Sequence, residues 1–60
     1  MKVKITEIPT TTYKYNYEFK DSLGIKTRVE NIESIEATNK HIKAKMKKLK
    51  SDYETEIVKL

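Results

Sequence analysis

The sequence contains no cysteine and no tryptophan, one glycine and one proline. Without cysteine, disulfides and thiolate metal sites are excluded as sources of stability. With Gly24 as the sole glycine, a glycine-rich phosphate loop is excluded as well. Histidine occurs once, as His41, among lysines and with no group to orient it as a base. The two aspartates, Asp21 and Asp52, read as a turn former and a helix cap. No spacing of His, Asp and Glu suggests a metal site. The chain is expected to be no enzyme and to use no cofactor. No apolar run approaches the ~18 residues of a membrane span, and no signal-peptide core follows Met1. The expected setting is soluble and cytoplasmic, in the host cell if the source is a phage.

Acidic residues are also in the minority. Nine Asp and Glu face 13 Lys and Arg, giving a formal net charge of +4 and a pI near 9.4. That balance suits an anionic partner. Arg28 is the only arginine, so the basic character is almost entirely lysine. Ile, Asn, Lys and Tyr are abundant, which mirrors AT-rich coding and points to a low-GC bacterium, or a phage or mobile element within one.

Sixty residues make one domain, 1–60, with a small core. The hydrophobic and charged fractions are both 37%, yet the apolar residues are patterned, which argues against disorder. "MKVKITEI" alternates Val3 and Ile5 with Lys2, Lys4 and Thr6, predicting a strand over about 2–8. Pro9 cannot donate to a ladder and should end it. "YKYNYEFK" alternates Tyr13, Tyr15, Tyr17 and Phe19 with polar residues, predicting a strand over about 13–20. "DSLG" has the preferences of a type I turn, with Gly24 free to take the left-handed conformation of a G1 bulge. Pairing Asp21 with Ile25 then places Phe19 beside Thr27, Tyr17 beside Val29 and Tyr15 beside Asn31, in a third strand over about 25–31. On the other face Glu18 meets Arg28, Lys20 meets Lys26 and Asn16 meets Glu30.

From Asn31 onward the pattern changes. Asn31 or Ser34 can cap a helix, with Glu33 and Glu36 near its start. Ile35, Asn39, Ile42, Met46, Leu49, Tyr53 and Leu60 recur at three- and four-residue steps, with Ile57 close to the line. The expected fold is α+β: a three-stranded antiparallel β-meander packed by one long C-terminal helix over about 33–60. The alternative is a helix that ends at Lys50, with the tail folding back as a fourth strand. In either case the aromatic strand face should be core, against Ile35, Ile42 and Met46, with the tyrosine tips reaching water.

A helix over 33–60 would be about 42 Å long, against strands of about 25 Å. Leu49, Tyr53, Ile57 and Leu60 would overhang, an exposed stripe suited to a partner. A homodimer through the C-terminal helix is the expectation. The other prominent feature is a lysine block. Lys40, Lys43, Lys45, Lys47, Lys48 and Lys50 fall in a segment free of carboxylates, and Lys40, Lys43, Lys47 and Lys50 share a helical face. The polar face of the sheet adds Lys14, Asn16, Lys20, Lys26 and Arg28, types able to contact phosphates and base edges.

"YKYNYEFKDSLGIKTRV" followed by "SIEATNKHIKAKMKKL" resembles the AP2-like, arm-type DNA-binding N-terminal domain of tyrosine-recombinase integrases. Those domains pair an aromatic-rich strand, a "D-x-x-G" turn, a basic strand and a helix rich in Ala, Glu and Lys. The resemblance covers about residues 13–49. It implies a sheet seated in the DNA major groove, with Lys14, Asn16, Lys20, Lys26 and Arg28 toward the bases and backbone. The expected function is a DNA-binding accessory or regulatory protein of a phage or mobile element. The competing expectation is an interaction module that inhibits a host protein, such as an acidic or nucleic-acid-binding protein or a nuclease.

Overall fold

A computed structural model describes residues 1–9, 12 and 14–60. The element order is β1 (Lys2–Ile8), β2 (Lys14–Lys20), β3 (Lys26–Ile32), α1 (Ile35–Leu49) and β4 (Glu54–Lys59). The strands form one sheet in the order β3-β2-β1-β4. The expected antiparallel meander is present as β1, β2 and β3, and the fold is α+β.

The β2–β3 hairpin follows the turn chemistry of Asp21. The Asp21 Oδ1 accepts from the backbone N–H of Leu23 at 2.9 Å and of Ile25 at 3.0 Å. The Gly24 N–H donates to the Asp21 carbonyl at 3.0 Å, and the Asp21 N–H to the Ile25 carbonyl at 3.1 Å. Gly24 sits at φ 82°, the left-handed region that the bulged turn requires. Phe19 then pairs with Thr27, Tyr17 with Val29, Glu18 with Arg28 and Lys20 with Lys26, as expected.

The expected pairing of Tyr15 with Asn31 is corrected: Tyr15 lies opposite Ile32. Asn31 takes φ 61°, a left-handed conformation that Asn tolerates better than most residues. Its N–H donates to the Asn16 Oδ1 at 3.3 Å. The register shifts by one residue there. Without that shift, Ile32 would point to the polar face; with it, Ile32 turns inward and is buried.

The long C-terminal helix is also corrected. The Ser34 Oγ caps α1 by accepting from the Ala37 N–H at 3.1 Å. The helix ends after 15 residues, at Leu49. Lys50 adopts φ 51°, ψ 42°, and the Ser51 N–H returns to the Met46 carbonyl at 3.2 Å. This is a Schellman-type stop made without glycine. Residues 54–59 then run parallel to β1, with Val3 beside Thr55 and Ile5 beside Ile57. Parallel neighbours need a crossover, and α1 supplies it. The tail could satisfy two periods. Tyr53, Ile57 and Leu60 step at helical spacing, while Tyr53, Thr55 and Ile57 alternate with Glu54, Glu56 and Val58. Pairing with β1 decides between them, because it satisfies backbone groups along an otherwise open edge. The length mismatch disappears with it: 15 helical residues span about 22 Å and seven-residue strands about 23 Å.

The core is Val3, Ile5, Tyr17, Phe19, Ile32, Ile42 and Met46, with Tyr15, Val29, Ile35 and Ala37 packed against it. The Tyr17 and Phe19 rings lie parallel within 5°, centroids 6.3 Å apart. The Tyr13 expectation lies outside the described residues. On α1 the buried face is Thr38, Ile42 and Met46, not Asn39. Thr38 is tolerated there because its Oγ1 donates to the Ser34 carbonyl at 2.8 Å.

Candidate nucleic-acid interface

The strand alternation and α1 together sort the cations onto two opposite surfaces, with the core between them. Lys14, Lys20, Lys26 and Arg28 project from the sheet away from α1, joined there by Lys2 and Lys4 of β1. Lys40, Lys43, Lys47 and Lys50 stand on exposed faces of α1 or at its end. A single flat ligand meets one set or the other. The candidate residues read from the sequence are therefore brought together as two patches rather than one.

On the sheet side, β4 adds two carboxylates, Glu54 and Glu56, beside Lys2 and Lys4. The favoured sequence reading placed these residues on a helix, and only its alternative, a fourth strand, could bring them here. The Glu18 carboxylate is 2.9 Å from the Lys26 Nζ and 3.9 Å from the Arg28 guanidinium. Lys26 rather than the directly opposite Arg28 is thus its closer partner. The Lys26 hydrogen bond, with the charges of Lys26, Arg28 and Lys4, holds the Glu18 carboxyl below its usual range despite some desolvation. Arg28 turns its Nε to Glu30 at 2.7 Å, and Lys2 reaches Glu56 at 3.4 Å. Asn16 is buried, with its carbonyl oxygen accepting from Asn31. Of the cations on this face, Lys4, Lys14 and Lys20 form no ion pair among the described residues.

The helix side is different. Among the described residues no ion pair involves Lys40, Lys43, Lys45, Lys47, Lys48 or Lys50. All six are exposed. Lys47 and Lys48 occupy the last turn, where the helix dipole favours positive charge. His41 leaves the lysine face and sets its ring 6.4 Å from Tyr17, tilted by 55°.

The residues read as a partner stripe are all exposed but no longer share one helix. Leu49 (46% exposed) ends α1, Tyr53 (39%) precedes β4, Ile57 (52%) is on β4 and Leu60 (72%) follows it. Ile57 lies on the same side of the sheet as α1 because it neighbours Ile5 in the parallel ladder. Tyr53 joins Met46, Lys43, Lys47 and Lys50 around a groove at the helix C-terminus. The sequence offered a sign of this neighbourhood in the period-two run of Tyr53, Thr55 and Ile57, which competes with the helical reading.

Among the described residues there is no group of His, Asp and Glu able to hold a metal ion. Among the described residues no helix is long and apolar enough to cross a membrane. No family model matches the chain, and no curated protein or solved structure matches it either.

Proposed function

We propose that this chain is a small, non-enzymatic DNA-binding protein that holds phosphates on the lysine face of α1, acting as an accessory factor of a phage or mobile element. The observation that carries the reading is the run of exposed lysines from Lys40 to Lys50 with no ion-pair partner among the described residues. Such cations release counterions from a polyanion without first breaking internal pairs. The sheet face supports the reading less. Lys2, Lys26 and Arg28 are engaged by Glu56, Glu18 and Glu30, and Asn16 is buried.

The test is a DNA titration at about 50 and 200 mM salt. Binding should weaken steeply with salt. Lys43→Glu/Lys47→Glu should flatten that dependence by about one unit of log–log slope for each phosphate that is no longer neutralised. Lys26→Glu/Arg28→Glu should change it less. Absence of a complex even at low salt defeats the proposal, and the reverse ranking of the two variants moves the binding surface to the sheet.

A second reading, an interaction module that inhibits a host protein, draws on β4. That strand leaves one edge of the sheet open, and Ile57 beside it is half exposed. It predicts no DNA affinity, with loss of partner inhibition in Ile57→Asp.

A further inference from the structure

A shallow groove of about 480 Å³ runs beside the C-terminal half of α1, lined by Lys43, Met46, Lys47, Lys50, Asp52 and Tyr53, with Ser51. Tyr53 is its exposed apolar side chain, and Met46, a core residue, lies buried beneath. The backbone around Tyr53 is held on both sides. The Ser51 N–H bonds to the Met46 carbonyl at 3.2 Å, and the Glu54 N–H to the Met1 carbonyl at 2.9 Å. The ring is therefore set on a fixed turn, and 39% of Tyr53 remains open to solvent.

Three lysines follow one flank of the groove. Lys43 and Lys47 are one helical turn apart on α1, about 6 Å along its axis, and Lys50 is the left-handed residue that ends the helix. None is paired among the described residues. Asp52 is the one carboxylate at the rim, so an anionic chain is favoured along the lysines and disfavoured at that end.

An aromatic ring flanked by a file of unpaired cations suits a ligand that offers both a flat apolar face and regularly spaced negative charge. Duplex DNA hides its base faces in the stack. A single strand exposes both groups at once. We infer that this groove binds single-stranded nucleic acid, with one base stacked on Tyr53 and neighbouring phosphates on Lys43, Lys47 and Lys50. The inference rests on the phosphate-binding reading above and specifies the form of the ligand.

The probe is a fluorescently labelled oligothymidine of about 12 nucleotides, compared by anisotropy with a duplex of equal length. The single strand should bind about tenfold or more tightly than the duplex. Tyr53→Ala should weaken single-strand binding by about 5- to 100-fold and leave duplex binding unchanged, while Tyr53→Phe keeps it. In the unaltered protein, the Tyr53 ring proton resonances should move on saturation with the strand. Unmoved resonances in a saturated complex overturn the inference whether or not Tyr53→Ala folds. Equal binding of both forms, insensitive to Tyr53→Ala, also overturns it and leaves phosphate binding by α1 standing. No binding of either form at low salt removes both.

Discussion

Tyr17 is fully buried, yet its hydroxyl has no hydrogen-bond partner among the described residues. The aromatic alternation led to the expectation of a wet tip on each tyrosine, and Tyr17 departs from it because α1 closes over the centre of β2. Burial pushes its ionisation upward. A buried hydroxyl with no partner costs about 1–3 kcal/mol. Tyr17→Phe should therefore raise stability, by about 1 kcal/mol after relaxation, seen as a higher urea midpoint with an unchanged slope. Glu18 is the opposite case, a carboxylate made more acidic by Lys26, Arg28 and Lys4. Because its folded value is lowered, its stabilisation is present above the ordinary Glu range of about 4.3 and disappears as pH falls through the lowered value. The stability gap between the protein and Glu18→Gln should accordingly be larger at neutral pH than in strong acid. A gap independent of pH would contradict this. Asn31 shows where a single residue escaped pattern reading. Alternation placed it inward, but its left-handed backbone reverses the alternation and hands the inward position to Ile32. No period-two pattern contains that information.

At the level of elements, the hairpin was the most legible part. Strict alternation in β2 and the Asp21–Gly24 turn specify both existence and register, since any other register mixes the faces. The start of α1 was legible too, with Ser34 and Asn31 both offered as caps and Ser34 filling the role. The end of α1 was legible only as the alternative, a stop at Lys50 followed by a fourth strand, because the stop is made by a lysine. A non-glycine residue in the left-handed region is strained by about 1 kcal/mol. Lys50→Gly should relieve that strain and raise the thermal midpoint by a few degrees, about 0.5–1 kcal/mol in stability. A lowered midpoint would mean that the Lys50 side chain contributes more than its backbone costs. The same variant removes a lysine from the groove, so under the proposed function its nucleic-acid affinity should fall while its stability rises.

At the scale of the whole molecule, the lysine candidates were legible as residues but not as surfaces. Knowing which lysines share a side requires knowing which side of the sheet α1 covers, and that β4 brings Glu54 and Glu56 to the other. The expectation of a dimer rested on a helix overhang, and a 15-residue α1 has none. The open edge of β4 is a poor replacement. Antiparallel pairing of two copies there brings the Glu54 and Glu56 carboxylates of each toward the other, and like charges across strands are unfavourable. Sedimentation at neutral pH should find a 7.1 kDa monomer. A dimer that dissociates in Ile57→Lys would instead identify β4 as a self-association edge.

The first and last strands lie side by side and point the same way, in register from Lys2 with Glu54 to Glu7 with Lys59. Tension applied between residues 1 and 60 therefore drags β1 and β4 lengthwise past each other. The load falls on the whole ladder together instead of peeling it open rung by rung, so this domain should resist stretching more than its modest size suggests.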